Sequence, residues 1–152
     1  MVGCFMKGDS VPDSDHVARF CRPAQVSNGE IQATAFMLRA SEPNLSVNWL
    51  EILNCSDRAA EIREIQKIYQ ITFKVGPNAR IAVLNVGEVR NIVRSETPDN
   101  RVLEVLHDPI LNDPMRLDDE SHSEIRNLKV DDEFIAELIL EVLRENHPAR
   151  PK

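Results

Sequence analysis

The chain has 152 residues, 42% of them hydrophobic, 28% charged and only 5% aromatic, the size and balance of one globular domain with an aliphatic core. Its formal net charge of −7 disfavours direct binding to a phosphate backbone, which needs a basic surface, and suits a basic partner protein better. No apolar run approaches the roughly 18 residues of a membrane helix, so no membrane span is expected.

The three cysteines, Cys4, Cys21 and Cys55, are odd in number and form no C-x-x-C, which reads as reduced thiols in a cytoplasmic protein. The start, M-V-G-C-F-M-K-G-D-S, shows no long apolar h-region of a secretory signal. Residues 1–15 carry Gly8, Pro12 and several Asp and Ser without any period. They are expected to form a flexible lead-in to a single domain over residues 16–147.

Residues 16–21, H-V-A-R-F-C, read as the first strand, which stops at Pro23. Asn28-Gly29 is the best turn signal in the chain. It predicts a hairpin whose return strand is residues 31–39, I-Q-A-T-A-F-M-L-R, followed by a turn at Ser41-Glu42-Pro43-Asn44.

The next stretch, L-S-V-N-W-L-E-I-L, admits two readings. As a strand, Leu45, Val47 and Trp49 share an apolar face that Glu51 then spoils. If the strand ends at Val47 instead, Asn48 caps a helical turn and Glu51 reaches back to the cap's N–H. The cap accounts for every residue and is favoured. The competing arrangement has Asn48 and Glu51 lining a pocket floored by Trp49, with Glu51 bonded to a histidine.

Ser56 or Asp57 caps a helix to about Gln70, whose stripe is Ile62, Ile65, Ile68 and Tyr69. Residues 71–75 and 80–86 read as strands around the turn G-P-N-A. Gly87 breaks the second, and E-V-R-N-I-V-R is a helical turn or a further strand. Residues 101–107 alternate as a strand, whereas residues 108–129 show no period, which predicts a long acidic loop at 108–130. A last helix starts at Asp131 or Asp132, buries Ile135, Leu138, Ile139 and Val142, and ends at His147-Pro148, leaving 148–152 as a tail. The fold class is therefore α+β: a single domain with an antiparallel or mixed sheet of five or six strands and two main helices packed on one face.

Chemistry-bearing residues are few. Asp118, Asp119, Glu120 and His122 match neither an EF-hand loop nor H-E-x-x-H, so neither a metal nor a cofactor is expected. In S-H-S, Ser121 to Ser123, neighbouring side chains point apart and no G-x-S-x-G elbow is present, so a serine cap is favoured over a nucleophile. His16, Arg19 and Arg39 could meet across the first hairpin and bind an anion, Arg through its planar fork. Surface ion pairs are the simpler reading.

Four elements, D-H-V-A-R-F (15–20), A-F-M-L-R (35–39), L-S-V-N-W-L-E (45–51) and S-H-S-E-I-R-N-L (121–128), together resemble a recurring set in an uncharacterised family of small bacterial proteins. The resemblance runs in the same order over most of the chain and carries no activity. It implies that His16, Arg19, Asn48, Trp49, Glu51 and His122 belong together. The expected function is a small interaction or regulatory protein acting with a partner protein. The alternative is an enzyme or small-ligand binder for an anionic compound, phosphorylated ones included. There Arg19 and Arg39 clamp the anion, Asn48 and Trp49 line the site, and His16 or His122 moves protons while Glu51 orients one histidine.

Overall fold

In the computed structural model, which describes residues 7–151, the strands and helices follow in the order β1 (His16–Cys21), β2 (Val26–Ser27), β3 (Glu30–Ile31), β4 (Leu45–Trp49), α1 (Arg58–Thr72), β5 (Arg80–Asn85), α2 (Val86–Glu96), β6 (Glu104–His107), β7 (His122–Arg126), α3 (Glu133–Glu141) and β8 (Glu145–Pro148). Six strands form one antiparallel sheet in the order β6–β7–β4–β1–β5–β8, and β2–β3 is a separate hairpin. The α+β fold class stands. Among the described residues, no helix is long and apolar enough to cross a membrane.

The pleat sorts side chains onto two faces, and helices cover both of them rather than one. On the first face Val17, Cys21, Leu45, Val47, Trp49, Ala82, Leu84, Val105 and Ile125 join Val89 and Val93 of α2 and Ile135 and Ile139 of α3. On the second, Ala18, Phe20, Ile81 and Val83 lie under Ile62, Ile65 and Tyr69 of α1. The second face changes character along the sheet. Beyond β1 its positions are Ser46 and Asn48 on β4 and His122 and Glu124 on β7, which the register sets opposite one another. An apolar helix has nothing to gain over these polar residues, and the segment 108–120 covers them instead.

Local signals explain several elements. Asn28 and Gly29 both have positive φ, 52° and 79°, as a two-residue hairpin turn of the mirror-image type demands. Asp57 caps α1 by accepting from the Ala60 amide at 2.8 Å, and Asn85 caps α2 by accepting from Glu88 at 2.9 Å.

Other expectations are corrected. Residues 31–39 leave the strand after Ile31 and enter a 3₁₀ turn, Ala33–Phe36. Its carbonyls find side chains instead of a ladder: Arg19 donates to Ala35 and Gln25 to Thr34. Residues 71–75 form no strand, because α1 continues to Thr72 and Phe73 still donates to Tyr69 at 2.7 Å. Residues 101–107 pair only from Glu104 onwards, and the segment after Gly87 is helical throughout. The acidic region contains β7, with Ile110 and Asp119 bonded to each other through both amides. The last helix stops at Glu141, and Glu145–Pro148 is an edge strand beside β5. An edge position is where a proline can be accepted, since its missing N–H faces away from the ladder. Ala149, expected in a tail, is fully buried. Part of the lead-in is also fixed: Gly8 and Val11 donate to the carbonyls of His107 and Val105 along β6. Residues 1–6 lie outside the described residues.

Candidate functional site

β4 continues through Trp49 because neighbours on both sides use its amides: Trp49 donates to the Ser121 carbonyl at 2.8 Å and Leu50 to that of His16 at 3.0 Å. Asn48 is therefore a buried strand residue and not a cap. Glu51 turns to His16 instead, accepting from its backbone N–H and meeting its Nδ1, each at 2.7 Å. Trp49 points to the face opposite Asn48, stands edge-on to His107 with centroids 5.3 Å apart, and donates to Asp15 Oδ2 at 2.8 Å. Burial raises the Asp15 carboxyl, the Trp49 bond opposes this, and the nearby Glu51 charge adds to it.

A cavity of 410 Å³ opens on the second face, between the C-terminal half of α1 and the segment 108–120. Phe20, Ile68, Ile71 and Phe73 form one apolar wall, and Ile110, Met115 and Leu117 the other. Phe20 and Phe73 stack with centroids 4.5 Å apart and planes 7° from parallel. Ser46, Asn48, Tyr69, Asp119 and His122 supply polar groups to it, together with Arg19, Thr72 and Arg116.

Several of these polar groups are tied together. Tyr69 donates to Asn48 Oδ1 at 2.9 Å, and Asn48 Nδ2 donates to Asp119 Oδ2 at 2.8 Å and to Ser121 Oγ at 2.9 Å. Asp119 Oδ1 also accepts from the Ser121 amide and hydroxyl. Burial pushes the Tyr69 phenol upwards, so it remains an O–H donor. One asparagine thus joins the sheet, α1 and the overlying loop.

His122 belongs to a second chain of contacts. Its Nδ1 lies 2.8 Å from the Asp108 carbonyl oxygen and 3.4 Å from Asp108 Oδ2, and its Nε2 lies 3.2 Å from Ser46 Oγ. A carbonyl can only accept, so the proton is assigned to Nδ1, and Nε2 is free to accept from the Ser46 hydroxyl. Burial raises the Asp108 carboxyl, but a hydrogen bond with Glu124 and the charges of His122 and Lys7 outweigh it and hold it below the ordinary range.

The sign of that shift makes a prediction. A carboxyl depressed in the folded state contributes stability that is complete above about pH 4 and lost as pH falls through its lower folded value. Asp108→Asn should therefore lower stability near neutrality, and its difference from the parent should shrink in acid. Urea midpoints between about pH 7 and about pH 3 read this directly; a gap that stays constant would reject it.

The sequence candidates separate into three places. His16 and Glu51 meet at one end of β1, beside Arg58, which pairs with Glu61 at 2.6 Å and Glu145 at 3.1 Å, and neither of the two lines the cavity. Arg19 is buried and donates to the carbonyls of Ala35 and Ser46, both at 2.9 Å, where the β1–β4 pairing ends. Burial lowers its pKa. Arg39 is more exposed and pairs with Glu42 at 3.0 Å. Of the named candidates, Arg19, Asn48 and His122 line the cavity, Arg19 with its guanidinium bonded to backbone carbonyls. Ser46, Tyr69 and Asp108 were missed as site residues, and Asp119 was weighed beside His122 only as a metal ligand. The alternation of β4 did place Ser46 with Asn48, but no local pattern reveals which strand lies beside them.

Cys21 is buried and its thiol is pushed up to about 12 by desolvation, which makes it unreactive. Among the described residues, no group of three or more His, Cys, Asp or Glu is arranged to hold a metal ion. No protein-family model, curated protein or solved structure matches this chain.

Proposed function

We propose that the chain is a binding protein whose working surface is the cavity between α1 and the segment 108–120, and that it takes a small amphipathic molecule there. The observation that carries this reading is the lining: two apolar walls over a floor of convergent polar groups, in a volume of 410 Å³. That size and that distribution are those of small-ligand sites. The anionic ligand suggested by Arg19 and Arg39 has less support, because those guanidinium groups serve backbone carbonyls and Glu42.

A partner protein is the second reading, favoured by the rim. Ile71, Leu111, Met115 and Leu117 are 64%, 54%, 88% and 67% exposed, and side chains of this kind gathered at one mouth mark interaction surfaces. A basic partner would also complement the net charge of −7.

Titration with the neutral fluorophore N-phenyl-1-naphthylamine tests the cavity. Its emission should rise saturably with one probe per chain. Phe73→Asp should weaken binding at least about tenfold, or about 1.4 kcal/mol, whereas Phe134→Asp on α3 should leave it unchanged. Equal losses in the two variants, or no saturable signal, would reject the cavity as the site. The readings separate at Leu111, outside the cavity lining: Leu111→Lys should abolish association with a partner and spare the probe.

A further inference from the structure

We propose that Ser46, His122 and Asp108 act as nucleophile, general base and orienting group, and that the cavity hydrolyses an ester with an apolar acyl chain. This rests on the reading of the cavity as a small-molecule site and assigns it a reaction.

The geometry has the three links that such a set requires. Ser46 Oγ lies 3.2 Å from His122 Nε2, and His122 Nδ1 is held by the Asp108 carbonyl at 2.8 Å with the carboxylate 3.4 Å away. The carbonyl sets the tautomer that leaves Nε2 as a base, and the carboxylate stabilises the imidazolium that forms when it is used. Ser46 and His122 both line the cavity, and the His122 side chain is only 11% exposed. Both sit on central strands, where paired backbone holds them more firmly than a loop would. Diagonal neighbours on one face of an antiparallel pair are within reach of a long side chain. The arrangement therefore follows from the β4–β7 register, in which Ser46 opposes Glu124 and Asn48 opposes His122.

The steps balance without any group beyond water. The Ser46 hydroxyl passes its proton to His122 Nε2 as Oγ adds to the ester carbonyl carbon. The charge-assisted donor assigned to the oxyanion is Arg116, which lines the cavity and whose guanidinium otherwise meets Asp113 at 3.4 Å. The C–O bond to the alcohol then breaks, and the imidazolium protonates the departing oxygen. Water, deprotonated by His122, adds to the acyl-serine carbonyl; the acid leaves and Ser46 regains its proton. The acyl chain is apolar because the facing walls, Phe20, Ile68 and Phe73 against Met115 and Leu117, are apolar.

The test uses p-nitrophenyl butyrate for turnover and diisopropyl fluorophosphate for labelling. The phosphorylating reagent loses fluoride to an activated serine and leaves a stable diisopropylphosphoryl adduct that peptide mass spectrometry locates. The expected result is a single adduct at Ser46 and butyrate release above the buffer rate. Ser46→Ala should lose both. His122→Ala should slow both at least about 100-fold, and Ser95→Ala, on α2 away from the cavity, should change neither. Asp108→Asn acts through His122, so it should move the pH profile of turnover as well as its rate. Absence of an adduct, an adduct at another serine, or full turnover by Ser46→Ala would overturn the proposal. Probe binding by the unaltered chain separates the two readings: saturable binding without an adduct leaves the cavity reading standing and removes the reaction alone.

Discussion

Trp49→Ala is expected to lower the free energy of unfolding by about 4 kcal/mol, within the range for removing a buried aromatic side chain. Trp49 is 1% exposed and packs in the core of the first face with Val17, Val47 and Val105. Truncation removes the largest of the fully buried side chains and leaves a cavity that strands paired on both sides cannot close. It also removes the N–H that Asp15 accepts at 2.8 Å. A domain of ordinary stability holds about 5–15 kcal/mol in all, so the variant should be only marginally folded. Because Trp49 is the single tryptophan, urea unfolding has to be followed by far-UV circular dichroism. Trp49→Phe divides the effect: it keeps most of the ring and leaves the Asp15 carboxylate without its donor, at about 1–3 kcal/mol. A Phe variant as unstable as the Ala variant would show that the polar contact, and not the ring, carries the stability.

Asn48→Ala is the second large effect and acts on the site itself. Asn48 is 5% exposed and joins Tyr69, Asp119 and Ser121. Its removal leaves the Tyr69 phenol, which burial keeps protonated, with only the longer contact to the Ala18 carbonyl at 3.4 Å, and takes one donor from the Asp119 carboxylate. We expect a loss of about 3 kcal/mol, since each buried polar partner left unsatisfied costs about 1–3 kcal/mol. The segment 108–120 should loosen with it. Ile110 and Asp119 donate to each other's carbonyls at 2.9 Å and 2.7 Å, so their amides report on that segment. Hydrogen exchange at those two positions should accelerate more in Asn48→Ala than at Val83 in β5. Asp119→Asn alone should show a milder form, and the double variant should reveal coupling of about 0.5–3 kcal/mol. Additive effects, with uniform exchange across the chain, would mean that Asn48 does not hold the loop.

The acidic surroundings of His16 place a third constraint on the molecule. Burial raises the carboxyls of Asp15 and Glu61. A raised carboxyl stabilises the folded state below its unfolded pKa, and that contribution is lost as pH rises through the folded value. Asp108 and Glu145 run the other way. Carboxyls of opposite sign even share a partner, Glu61 and Glu145 both pairing with Arg58, which is why single carboxylate variants are more informative here than the pH dependence of the whole chain.

Elements set by neighbouring residues were legible in the amino-acid order. Asp57 and the stripe Ile62, Ile65 and Tyr69 announce α1, Asn28-Gly29 announces a turn, and Leu45, Val47 and Trp49 announce one face of a strand. Each depends on groups within a few positions, where backbone conformation and helix or strand period act directly. The same order, read alone, favoured an Asn48 cap with Glu51 folded back upon it. Tertiary structure decided otherwise, because the Trp49 and Leu50 amides found carbonyls on β7 and β1, and Glu51 found His16, 35 residues away. His122 was likewise read against its own neighbours, Ser121 and Ser123. Its serine is Ser46, 76 residues distant. β7 and β8 carry no strong apolar period, and the long-range ladder more than local preference makes them strands. Composition and local period determined an α+β domain. Which polar side chains share a cavity depended on strand order and register, which no short stretch of chain contains.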